Sequence, residues 1–161
     1  MPRLSLEGRE LLKELEGFRA TPYKDGPGHL TIGYGHMLRE WEVGILTHVT
    51  KEEAEQLMVE DLYSVEKALE DLVTRNLTQN QWDALIIFGY NIDLDVFAGS
   101  ATLNVVNEGD LDEVPEWIAK WNKITMKNKE TGLREKAVSN GLNRRRSAEI
   151  QVWRGSYPKG V

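Results

Sequence analysis

The sequence predicts one mostly helical domain with a small antiparallel sheet near its start, an α+β arrangement in which strands and helices are segregated. Three observations carry this reading. Residues 50–73 place apolar side chains at helical spacing for about six turns. Residues 18–36 instead alternate Thr, Tyr, Ile and Phe with Gly and Pro, the pattern of short strands joined by turns. From residue 78 onward the pattern reads as helical again, and no repeat, low-complexity stretch or linker interrupts it. A length of 161 residues suits a single domain spanning 1–161, long enough to bury a real core.

The elements follow in order. Ser5 can cap a helix over 5–16, where Leu11, Leu12, Leu15 and Phe18 recur at helical spacing and Gly17 supplies a left-handed end. Asp25-Gly26-Pro27-Gly28 is a strong turn signal inside the strand region. Thr31 to His36 carries Gly33 and Gly35 two positions apart, which weaken a strand unless something must approach its backbone. Thr50 and Glu53 form a capping box. Behind it Ala54, Leu57, Met58, Leu62, Val65, Leu69 and Leu72 mark one face. Asp61 falls among them and needs a partner, for which His36 is the candidate, a structural ion pair tying sheet to helix.

Thr78 and Gln81 open a second capping box ahead of TQNQWDALIIFGYNI, apolar nearly all round and so the buried central helix. Ser100 caps a short helix through Val106, and Asp110 or Asp112 starts the next, with Pro115 in its first turn. Val114, Trp117, Ile118 and Trp121 make its inner face. Residues 122–140 are polar and read as a loop around a short helical piece. Gly141 leads into a last helix through Trp153, with Leu142, Ala148, Val152 and Trp153 inward.

Composition narrows the function. Without cysteine there is no disulfide or thiol chemistry. A formal charge of −6 offers no general attraction to nucleic acid, and no apolar run approaches the roughly 20 residues that membrane insertion needs. The first ten residues, MPRLSLEGRE, lack the apolar core of a secretion signal. His29, His36 and His48 lack zinc-ligand spacing, so no metal or other cofactor is expected. No Gly-x-Ser-x-Gly elbow exists, and the two glycines near Tyr34 lack the third of a dinucleotide loop. Lys123, Lys127 and Lys129 form one basic cluster, best read as solvated surface. Arg144, Arg145 and Arg146 form another, early in a helix, where one member could turn inward toward an acid.

What remains is a pair of acids. Glu16 ends the first helix at the edge of its apolar face, where desolvation favours a proton donor. Asp25 follows nine positions later in a hairpin turn, and Thr31 six positions after that. Glycoside hydrolysis uses two carboxylates on opposite sides of a sugar bond, one protonated and one ionised.

Glu16-x8-Asp25-x5-Thr31 resembles the signature of phage-type lysozymes, glycoside hydrolase family 24. The blocks LLKELEGFRATPYKDGPGHLTIGYGH, TKEEAEQLMVEDL, LTQNQWDALIIFGYNI, FAGSATLNVVNEGD and GLNRRRSAEIQVW extend the likeness over nearly the whole chain. It implies a lysozyme-like fold: a sheet lobe at about 14–60 and a helical lobe at about 75–161 that includes the N-terminal helix, joined by the long helix around a cleft. It implies a monomeric muramidase without cofactor that cuts bacterial peptidoglycan. Glu16 would be the general acid, Asp25 the ionised partner positioning water for inversion, and Thr31 the holder of that water. Arg144 matches the arginine that orients the catalytic glutamate; Met37, Tyr90, Ser100 and Trp117 match positions lining the sugar cleft. Such a lysin waits in the host cytoplasm until released to the wall. The rival readings are a non-catalytic wall-binding module and a lytic transglycosylase. The acidic balance departs from the commonly basic family, so wall binding would depend on local basic patches.

Overall fold

A computed structural model describes residues 1–25 and 28–161; Gly26 and Pro27, the centre of the expected turn, lie outside the described residues. The chain runs α1 (Leu6–Glu16), β1 (Arg19–Asp25), β2 (His29–Gly33), β3 (His36–Met37), α2 (Lys51–Leu72), α3 (Gln79–Asn91), α4 (Leu94–Ala98), α5 (Ala101–Glu108), α6 (Val114–Ala119), β4 (Lys123–Lys127), β5 (Arg134–Val138) and α7 (Asn140–Trp153). A single 3-10 turn, Glu40–Glu42, follows β3.

Local chemistry sets most boundaries. The Ser5 hydroxyl accepts from the Gly8 N–H at 3.0 Å, and Gly17, at φ +69°, ends α1. At the head of α2 the Thr50 hydroxyl accepts from the Glu53 N–H while the Glu53 carboxylate accepts from the Thr50 N–H. α3 is the hub of the core. Ala84 to Phe88 are fully buried, and α1, α2 and α7 pack around it. Its Asp83, also fully buried, accepts from the Ser5 N–H, the Ser5 hydroxyl, Gln79 Nε2 and the Tyr157 hydroxyl, so one carboxylate ties both chain ends to the central helix.

The sheet region forms the antiparallel order β1-β2-β3. Residues paired across it share a face: Tyr23 with Thr31, Asp25 with His29, Thr31 with Met37 and Ile32 with His36. Because side chains alternate along a strand, Tyr23, Asp25, Thr31 and Met37 lie on one face, and Ile32 and His36 on the other. The second face is the anchor. Ile32 is fully buried, and His36 sits between Asp61 of α2, with Nδ1 to Oδ2 at 2.7 Å, and Glu42, with Nε2 to Oε2 at 3.1 Å. A ring donating from both nitrogens to carboxylates is an imidazolium. Gly33, at φ +64°, lets the strand end lie on α2: a Cβ there would come 2.9 Å from that of Ala54.

Three expectations need correction. Residues 122–140 are not a loop with a helical piece: β4 and β5 pair as an antiparallel hairpin, from Lys123 opposite Val138 to Lys127 opposite Arg134. KITMK alternates polar with apolar side chains, REKAV opens on three consecutive charges, and neither has a buried face to give it contrast; every residue of β4 is exposed. The next-to-last helix starts at Val114, after a turn from Asp110, rather than at Asp110 or Asp112. Finally, α4 is an additional helix, capped by Asp93, whose carboxylate accepts from the N–H groups of Asp95 and Val96.

Candidate active site

Glu16 is the last residue of α1, and its side chain retains 16% exposure. Two neighbours fix it. Arg145 of α7 places Nη1 2.7 Å from Glu16 Oε1. Gly35 lies against the other oxygen: a Cβ on this residue, at φ +82°, would stand 2.6 Å from Glu16 Oε2. The glycine pair noted in the sequence therefore serves two close approaches, Gly33 to α2 and Gly35 to the acid. The Tyr90 hydroxyl of α3 donates to the Tyr34 carbonyl at 3.0 Å, holding the turn that carries Gly35. Burial, followed by the negative charges of Asp61 and Glu16, raises the Tyr90 phenol far above its ordinary range, so it stays a donor.

Asp25 ends β1 and is exposed; Thr31 is nearly buried in the middle of β2. Their shared face also presents Tyr23, directly opposite Thr31. The Tyr23 phenol is raised by burial and then by the charges of Asp25 and Glu16, so both acids act on one side chain. Its ring is covered by the Arg19 guanidinium, 4.5 Å from the centroid. The end of α1 thus meets the sheet at Gly35, and Asp25, Thr31 and Tyr23 share one face of that sheet.

The arginine on the acid is Arg145, where the sequence reading chose Arg144. An α-helix turns about 100° per residue, so only some members of a triplet face inward. The inward face of α7 is Arg145, Arg146, Ala148, Glu149, Val152 and Trp153, while Arg144 points to solvent. Glu149, fully buried, accepts from Arg145 Nε at 3.2 Å and from Arg146 Nη1 at 2.7 Å. Arg146 Nε also donates to the Trp121 carbonyl and Nη2 to Asn91 Oδ1. Burial pushes the Glu149 carboxyl up, against the pull of both guanidiniums. Glu149 escaped the sequence reading, although its position four residues after Arg145 on one helix face was a signal. Tyr23 escaped it as well, although it precedes Asp25 by two, the period of a strand face.

The remaining predicted contacts are dispersed. Met37 is 56% exposed on the face shared with Thr31. The Ser100 hydroxyl is occupied as the cap of α5, accepting from the Leu103 N–H and donating to the Phe97 carbonyl. Trp117 of α6 is half-buried, with Lys120 Nζ 3.5 Å from its ring centroid. Among the described residues no cluster of His, Asp or Glu has the geometry of a metal site.

The protein family described as phage lysozyme matches residues 13–149. An endolysin of Acyrthosiphon pisum secondary endosymbiont phage 1 is 34% identical over 146 residues, covering 91% of this chain and 94% of its own length. The endolysin of Bacillus phage PZA is 32% identical over 161 residues, 99% of this chain. The chain spans only 58% of that relative and 56% of the endolysin of Bacillus phage B103. Among solved structures, an endolysin from Escherichia coli O157:H7 phage FAHEc1 superposes with a TM-score of 0.84 at 31% identity, covering 98% of this chain and 97% of its own. The muramidase domain of SpmX from Asticaccaulis excentricus gives 0.81 at 34% identity, over 95% of this chain and 98% of its own. The matched segment contains the end of α1, the three-stranded sheet and Arg145 together, and on that match the chain belongs to the phage lysozyme family.

Proposed function

We propose that this protein is a muramidase that hydrolyses the β-1,4 bond between N-acetylmuramic acid and N-acetylglucosamine in peptidoglycan. The observation that carries the reading is Glu16 at the end of α1, held by Arg145 against the Gly35 turn of the sheet whose one face presents Asp25 and Thr31. Glu16 is the general acid. It is held by Arg145 and the Gly35 backbone in one orientation, the condition for delivering a proton to a leaving oxygen. Asp25, exposed at the strand end, is the ionised partner that positions water on the opposite face of the sugar. Thr31, on the same sheet face, helps to hold that water. Inversion requires carboxyl groups about 6.5–9.5 Å apart, enough for the attacking water to sit between the base carboxylate and the sugar.

A second carboxylate favours hydrolysis over lytic transglycosylation, in which one acid suffices and an anhydro sugar forms. The catalytic trio likewise argues against a module that only binds the wall. Met37, Tyr90, Ser100 and Trp117 line the glycan path, with Tyr90 and Ser100 acting through the backbone they hold. The protein works as a monomer without a cofactor and resides in the host cytoplasm until released. No helix among the described residues is long and apolar enough to cross a membrane.

The deciding experiment is release of reducing ends from purified sacculi, with Glu16→Gln as the control. Hydrolysis predicts products heavier by one water, an inverted anomer first formed, and no release by the variant. Anhydro ends would establish the transglycosylase; absence of release at every pH would establish the binding module.

A further inference from the structure

The β4–β5 hairpin spends its sequence differently from every other element. Its ladder places Lys123 opposite Val138, Thr125 opposite Lys136 and Lys127 opposite Arg134, all on one face. Ile124 with Ala137 and Met126 with Glu135 take the other. One face therefore carries four cations separated only by Thr125 and Val138, with no carboxylate among them. Among the described residues none of these four, nor Lys120, stands in an ion pair. Like charges directly opposite one another destabilise a ladder, and Lys127 faces Arg134 across it. Such a face on a protein of charge −6 is arranged for an anion from outside.

At the foot of this face lies a recess of about 400 Å³ lined by Thr102, Trp117, Lys120, Trp121, Lys123 and Lys136. Trp121 joins it to the helical core. Its ring packs 5.4 Å from that of Phe88 on α3, and its carbonyl is held by Arg146, the neighbour of the arginine on Glu16.

We propose that the recess and the basic face above it dock the carboxylates of peptidoglycan peptide stems. The inference rests on the muramidase reading, because stems arrive covalently attached to the muramic acid residues of the glycan being cut. That attachment also favours stems over other wall polyanions: a strand lying in the cleft brings its carboxylates with it. A stem offers several carboxylates along a flexible peptide, and the ladder offers cations on strands about 4.8 Å apart, within reach of one stem. Lysine suits the task, since its flexible ammonium takes a carboxylate without demanding a fixed geometry.

The test measures binding without turnover. Glu16→Gln protein is co-sedimented with sacculi free of teichoic acid, before and after an amidase removes the stems, and with walls that retain teichoic acid. The double change Lys123→Gln and Lys136→Gln is expected to weaken binding to stem-bearing sacculi about threefold to tenfold, with no effect on stripped glycan. Arginine at both positions should restore binding, and the wild-type salt dependence should fall in the glutamine variant. Lys67→Gln, at an exposed lysine of α2 already paired with Glu70 and Asp71, is the control. Equal losses on stripped and stem-bearing glycan, no loss on either, or a loss seen only on teichoic acid would each overturn the proposal. Sedimentation is independent of hydrolysis, so a wild-type enzyme that releases no reducing ends would sink the muramidase reading while leaving this result legible.

Discussion

The two hairpins of this protein obey the same pleat and do opposite things with it. In β1–β2, extended by β3, one face is dry: Ile32 is fully buried and His36 is clamped between two carboxylates. A slip of one residue would turn Ile32 to solvent and Asp25 and Thr31 toward α2, so the face packed on α2 fixes the register of the face that carries Asp25 and Thr31. In β4–β5 neither face is buried, and only Ala137 is even half-covered. That ribbon is free to crowd like charges because it has no packing to spoil. Placement of reacting groups follows burial on the reverse side; tolerance of charge follows its absence.

The largest expected effect separates chemistry from architecture. Glu16→Gln should lower the rate of reducing-end release by about 10²–10⁴-fold, the usual contribution of a positioned acid, while the melting midpoint stays near wild type. A variant with near-normal turnover would remove Glu16 from its role. The paired truncations come next. Ile32→Ala leaves a cavity under the catalytic sheet and should cost about 3 kcal/mol in denaturant unfolding, whereas Ile124→Ala should cost about 0.5 kcal/mol or less. Similar losses for the two would erase the contrast between the hairpins.

The clamp under the first hairpin adds a pH signature. The hydrogen bond to Asp61 raises the His36 pKa against its desolvation, with Glu42 adding to the rise. A raised histidine contributes stability that is fully present below its unfolded value, near 6.5, and lost as pH climbs through the folded value. Burial pushes the Glu42 carboxyl up, but the Arg39 N–H and His36 outweigh it and hold it below 4.5. Its contribution is fully present above that ordinary value and lost as pH falls through the folded one. The clamp is therefore strongest between about 4.5 and 6.5. Asp61→Asn should lower stability by about 2 kcal/mol near pH 6, with a smaller difference from wild type above the folded histidine value. Melting midpoints measured from pH 4 to 9 test this, and a constant difference would contradict it.

What could be read without coordinates follows the same division. Ser5, Thr50 and Gly17 announced their helix ends because capping is local chemistry. The His36–Asp61 contact was inferable because a carboxylate inside an apolar stripe requires a partner, but the second carboxylate, Glu42, comes from a turn with no such stripe. The choice among Arg144, Arg145 and Arg146 turned on helix phase, which the apolar face of α7 supplies only weakly: Leu142, assigned inward, is merely half-buried, and a buried ion pair fills that face instead. Residues 122–140 were opaque because burial supplies most of the contrast in a strand pattern, and this strand pair buries almost nothing.

The smallest effect tests whether the second hairpin gives up stability for its charge. Lys127 and Arg134 are directly opposed, and a like pair in that position destabilises a ladder by a few tenths of a kcal/mol. Lys127→Glu replaces repulsion with attraction and should raise the free energy of unfolding by about 0.5 kcal/mol, while weakening attachment of the Glu16→Gln protein to sacculi. No comparable gain is open to the first hairpin, one face of which carries the reacting groups while the other is already filled. A variant both less stable and less well attached would mean that Lys127 packs along the ribbon through its methylenes. The charge on this hairpin would then be incidental, and the contrast between the two sheets would rest on burial alone.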